Sequence, residues 1–242
     1  DALLQSGDQS LDDVVTLGLH HEQQHQELIL MDAKHLLSLN PLRPAYRAAS
    51  PTTIGHPDPL RWTAFQGGLV EVGHDGNGFA FDNEMPRHRS WLEPFALAPR
   101  PSNCGEYLAF IEDDGYRRPE LWLSAGWECV NQQGWQAPLY WEQKEGRWMV
   151  FTLSGLQVLD PALPVCHISF FVAAAFAKWA GCRLAREAEW EVAVGGRQDG
   201  GEVPGRGGHQ CPAHLPKRRA GGEDVVDYGD ALPGDERWFA ER

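Results

Sequence analysis

The sequence predicts an α+β chain, and three observations lead there. Residues 11–39, LDDVVTLGLHHEQQHQELILMDAKHLLSL, contain no proline and repeat apolar positions (Val14, Leu17, Leu28, Met31, Leu36) near the 3.6-residue period. Residues 40–66 then carry five prolines, which forbid regular structure over most of that stretch. From Gly67 on, short alternating β-type runs are interleaved with helical runs and split by glycines. At 242 residues, 42% hydrophobic and 23% charged, the composition is that of a folded globular chain with a real core.

The first element is one long helix over 11–39, with a possible break at Gly18, stopped by Asn40-Pro41. An apolar stripe on a single helix needs partners, expected upstream of this chain or in the second domain. GGLVEVG reads as a strand, and HRSWLEPFALA as one or two more. Asn103 with Glu106 three residues on reads as an N-cap opening the helix CGEYLAFIEDD. A short helix follows over 124–133, then strands in PLYWEQ, RWMVFTL and GLQVL, divided by Gly146 and Gly155. Ser169 caps FFVAAAFAKWAG, which ends at Gly181, and REAEWEVAV opens a last helix. Residues 195–242 hold eleven glycines and a KRR run at 217–219, with little periodicity, and read as a solvated, poorly ordered tail.

The charge and cysteines narrow the function. With 34 acidic against 21 basic residues the net charge is −13, which argues against a nucleic-acid partner. No run approaches the ~18 apolar residues of a membrane span, and DALLQSGDQS has neither the basic flank nor the apolar run of a signal peptide. The five cysteines are odd in number and show no CxxC spacing, so a reducing, cytoplasmic location is expected.

The chemistry concentrates in HHEQQHQE. His21 and His25 stand at i and i+4, so their imidazoles share one helix face and can bind one first-row metal at about 2.0–2.2 Å. His21-Glu22-Gln23-Gln24-His25 also matches the H-E-x-x-H spacing of zinc hydrolases, though no third ligand follows, and a helix with exposed histidines and no metal is the plainer alternative. Glu27 is off that face; His20 and His35 read as surface or packing residues. Trp91, Trp122, Trp127, Trp135, Trp141, Trp148, Trp179 and Trp190 read mostly as core or half-buried.

HHEQQHQELILMDAKHLLSLNPLRPAYR resembles the end of the DinB-like helical domain of the ergothioneine-biosynthesis sulfoxide synthases, the hercynine oxygenases. FDNEMPRHRSWLEPFALAPRPSNCGEYLAFIEDDGYRRPELWLSAGW, APLYWE, PVCHISFFVAAAFAKWAGCRL and EAEWEVA resemble, in order, their second domain, with the formylglycine-generating-enzyme, C-type-lectin-like fold. The resemblance covers about residues 10–194 and implies four parts: 1–40 as the last helix of the DinB-like iron-binding domain, 41–66 as linker, 67–194 as a partial formylglycine-generating-enzyme-like domain, and 195–242 as a divergent tail. It further implies a non-haem Fe(II) held by three histidines, two of them His21 and His25, with Gln24 orienting the substrate imidazole. The implied reaction joins a thiol donor, γ-glutamylcysteine or cysteine, to hercynine with O2, giving a sulfoxide. Selenium-donor and ovothiol-type synthases are relatives of the same kind.

The departures set expectations too. The family's third iron histidine lies upstream in the DinB-like domain, and no histidine precedes His20 here; His56, His74, His88 and His167 lack supporting spacing, and His167 reads as a packing or capping residue. After EAEWEVA the family's tyrosine-bearing stretch does not align; a shifted reading frame is one explanation, and Tyr228 is not assigned the tyrosine's role. Both departures also fit a non-catalytic fragment or pseudoenzyme. RLAREAEWE has Ala185-Arg186 where the family has a threonine cap, at a cost of about 1 kcal/mol. Asn83, Glu84 and Arg87 read as structural hydrogen-bonding residues.

Overall fold

A computed structural model describes residues 11–48 and 60–195. The readings made on His56, Tyr228 and the tail beyond Gly195 lie outside the described residues. Residues group into two units by mutual contact: one comprises the described chain up to 48 with Glu71–Ser90 and Glu142–Val158, the other residues 60–70, Trp91–Trp141 and Leu159 onward.

In the first unit, helix α1 spans Asp12–Leu39. It runs through Gly18 without the break that glycine suggested. The helix stops at Asn40, whose backbone turns extended; its N–H donates to Leu37 O and its Oδ1 accepts the Leu42 N–H at 2.9 Å. Proline at 41 cannot continue the helix. No residue of α1 is buried; Val14 and Leu36 are 66% and 70% exposed.

The same unit holds a sheet in the order β5 (Trp141–Lys144), β6 (Arg147–Thr152), β7 (Gly155–Val158). Glu145 and Gly146 both take positive φ, the geometry of a tight hairpin turn, and β6 pairs antiparallel with β7, Met149 opposite Val158. Tyr46 and Arg47 both donate their N–H to Leu153 O, and Arg43 meets Glu142 at 2.6 Å, so the chain leaving α1 is tied to this sheet.

In the second unit β1 (Thr63–Phe65) pairs antiparallel with β4 (Phe95–Leu97), and the Phe65 and Phe95 rings stack at 4.7 Å. Strands β2 (Gly68–Val72) and β3 (His88–Leu92), which belong wholly to neither unit, form another two-stranded sheet. Strand β1 falls inside the stretch read as irregular linker; its cross-strand partners supply the order that local sequence withholds.

Helices α2 (Cys104–Glu112), α3 (Ser124–Gln133), α4 (Phe170–Trp179) and α5 (Glu187–Gly195) complete the second unit. Its core packs Tyr107 and Phe110 of α2, Val172, Ala175 and Phe176 of α4, and Tyr116, Leu121 and Trp122 from the two 3-10 turns between α2 and α3. The tryptophan reading holds for most of the eight: Trp122 is buried and Trp127, Trp141, Trp148 and Trp179 are half-buried, while Trp91, Trp135 and Trp190 are exposed. Trp91 instead uses its Nε1–H on Glu93 at 2.9 Å.

Candidate metal-binding face of the first helix

At 100° per residue, α1 sets His25 about 40° to one side of His21, Gln24 about 60° to the other, and His20 about 100° round, one turn before Gln24. His21, Gln24 and His25 are all exposed. The His21 and His25 rings lie 4.5 Å apart between centroids and nearly perpendicular, at 81°. Two imidazoles so placed in solvent can turn a nitrogen each toward one ion.

His20 faces inward. Its ring stacks on Phe79 at 4.0 Å and 14°, with Phe81 edge-on at 6.3 Å; Phe79 and Phe81 are themselves perpendicular at 4.9 Å. The loop carrying these phenylalanines is held by its own backbone. The Phe81 N–H donates to Glu84 Oε2 at 2.8 Å, and the His74 N–H to Glu84 O at 2.8 Å. Arg87 pairs with Glu71 at 3.0 Å. Gly73 has φ +93°, and a Cβ there would meet Pro86 O at 3.0 Å, so this loop closes only over a glycine. Backbone and side-chain hydrogen bonds from Asn77 hold the Asp75 carboxyl below its ordinary value. Glu84 and Arg87 thus have the structural roles read for them. Phe79 and Phe81 carried no sequence signal beyond the F-x-F spacing before DNE.

His74, His88 and His167 have other partners in the structure. His74 Nδ1 accepts the Gly76 N–H at 3.0 Å, and His88 Nδ1 lies 3.1 Å from Pro86 O. His167 sits at φ +60° with its ring edge-on to Tyr140 at 4.9 Å, and its carbonyl accepts the Leu139 N–H, a packing role. Among the described residues no group of three or more His, Cys, Asp or Glu is arranged to hold a metal ion. The His21–His25 pair could by itself offer two nitrogens to an imidazole-favouring metal.

Comparison with known proteins identifies relatives of the chain. The mycobacterial hercynine oxygenase of Mycolicibacterium thermoresistibile is 34% identical over 173 residues, 72% of this chain and 38% of that protein. The hercynine oxygenase of Mycobacterium tuberculosis is 32% identical over 74% of this chain and 42% of its own length. The formylglycine-generating enzyme of Thermomonospora curvata is 31% identical over 61% of this chain and 55% of its own. The chain thus spans about two fifths of the hercynine oxygenases it matches. Residues 61–220 match the model of the sulfatase-modifying factor enzyme 1-like domain, and the chain belongs to that family.

Proposed function

We propose that the protein is a non-haem Fe(II)-dependent oxygenase that joins hercynine to a cysteine-type thiol, γ-glutamylcysteine or cysteine, as a sulfoxide in ergothioneine biosynthesis. The observation that carries this reading is the exposed His21–His25 pair on one helix face, in a chain similar to hercynine oxygenases. His21 and His25 would hold the iron, which when bound supplies a site for an anionic thiolate and O2. Neutral imidazoles add no charge of their own, so this pair favours an anionic third party over a neutral one. Gln24 has both an N–H donor and a carbonyl acceptor, so it can meet either nitrogen of a substrate imidazole from the same edge of the helix.

The test is to load the purified chain with Fe(II) under anaerobic conditions, then measure iron per chain, hercynine-dependent O2 uptake and the mass of the product. Roughly stoichiometric iron and a sulfur adduct one oxygen heavier than the thioether support the proposal. Retained zinc with peptide cleavage overturns it, and a selenium donor or free histidine preferred in the same assay moves it to the selenoneine or ovothiol type.

A second reading, a non-catalytic member, is favoured by one relative in particular. The protein named inactive C-alpha-formylglycine-generating enzyme 2 of Mus musculus is 26% identical over 62% of this chain. That reading requires weak iron binding and no turnover.

A further inference from the structure

The half of α1 that carries the metal-binding face has weak local reasons to stay helical. Its N-cap, Leu11, makes no side-chain capping bond, and Gly18 lies two residues before His20 with nothing within 4 Å of where its Cβ would be. A glycine inside a helix is entropically costly. None of the 28 residues of α1 is buried and only a few, such as Val15 and Leu37, are half-buried, so among the described residues little of the apolar burial that normally holds a helix is present. The other end of the helix is secured through Asn40, Arg43, Tyr46 and Arg47.

Against that background the stack of His20 on Phe79, flanked by Phe81, sits where an anchor is needed. It falls just after Gly18, directly before His21, and one turn before Gln24 on the same face. The loop it binds is rigid for the reasons given above. We infer that His20, clamped by Phe79 and Phe81, is a positioning residue: it keeps the turn His21–His25 helical and fixes the roll of α1, so that both imidazoles and the Gln24 amide are presented together. If that turn frays, the i, i+4 relation of the ligands is lost, and metal affinity falls by the fraction of chains in which the turn is formed. The inference rests on the proposed metal site only for its consequence; the clamp stands on its own geometry.

The experiment compares the full wild-type chain with His20→Ala, His20→Phe, Phe79→Leu and His21→Ala. Amide hydrogen exchange is followed without metal, and Co(II) alone is used as the metal probe, read by its visible absorption. His20→Ala and Phe79→Leu are expected to speed exchange of the amides around residues 17–25 by about 3- to 10-fold, with the exchange of α4 unchanged. They are expected to weaken Co(II) by about tenfold, in the range seen when a supporting group around a metal is removed. His20→Phe stacks but cannot ligate, so it restores both readouts.

Wild-type exchange in His20→Ala overturns the inference, as does failure of His20→Phe to restore it. Restored exchange with Co(II) affinity still lost makes His20 a ligand and also overturns it. Unchanged Co(II) binding in His21→Ala overturns the metal reading instead, while the exchange arms still decide the clamp.

Discussion

His74 and His88 direct a ring nitrogen to their own loops, whereas His21 and His25 face each other in solvent across 4.5 Å. The proposed metal role therefore rests on His21 and His25. Replacing either by Ala should lower bound Fe(II) well below one per chain and reduce hercynine-dependent O2 uptake by at least about 100-fold, with the thermal midpoint unmoved because both side chains are exposed. Gln24→Leu should instead raise the KM for hercynine while leaving iron content intact.

Cys104 contributes to alkaline stability, alongside Cys182, Tyr107 and Tyr116, whose ionisation burial also pushes to higher pH. Cys104 is buried, and its Sγ–H reaches Pro164 O at 3.6 Å. Burial first, then the neighbouring Cys166 and Asp160, push its thiol up to about 12 from 9.0. The folded chain therefore keeps this proton after the unfolded chain has lost it. The stabilisation is whole below about pH 9 and is lost between there and pH 12, at up to about 1.4 kcal/mol per pH unit. Urea unfolding of wild type and Cys104→Ala across that range should show the slope of the variant shallower by close to one proton. Equal slopes would remove Cys104 from the account.

Helix starts were legible because capping is local. The Asn103 side chain accepts the Glu106 N–H at 2.8 Å, Glu106 returns the bond to the Asn103 N–H at 2.9 Å, and Arg100 grips the same carboxylate at 2.7 and 3.0 Å. Asn103→Ala should cost about 1 to 2 kcal/mol in chemical unfolding. The start of α5 was only half legible. Ala185-Arg186 lacks the side-chain cap, as expected, but Glu189 still accepts the Arg186 N–H at 2.9 Å and takes a bidentate pair from Arg183 at 2.5 and 2.7 Å. The element loses one of two reciprocal bonds and keeps the other on a carboxylate that is 2% exposed. Glu189→Ala leaves Arg183, half-exposed and so open to solvent, without that partner and should cost about 2 kcal/mol through the lost charge-assisted hydrogen bonds.

What sequence spacing hid lies in contacts far apart along the chain. β1 exists through β4, the 3-10 turns of 115–117 and 119–121 through the core they enter, and the Phe79–His20 stack through a loop remote from α1 in sequence. A local period reports none of these, while the i, i+4 histidines, the caps and the glycine-divided hairpins are all local and were read. At the scale of the molecule, stability and the proposed metal binding are expected to be separable. Phe110 is fully buried, ringed by Tyr107, Tyr116, Trp122, Phe176 and Trp179 with centroids 5.4 to 6.5 Å away. A Cβ on Gly115 would meet that ring at 2.2 to 2.5 Å, and the ring has nowhere to go because aromatic neighbours surround it. The Gly115 carbonyl also accepts the Trp122 Nε1–H at 2.9 Å, so a backbone shift that relieves the clash breaks a buried hydrogen bond. Gly115→Ala should therefore cost about 1–3 kcal/mol, seen as a lower urea midpoint at unchanged m. Co(II) affinity in the folded range should stay at the wild-type value, because this core belongs to one contact unit and the histidine face to the other. A loss of affinity in Gly115→Ala without loss of stability would show that the two are coupled after all.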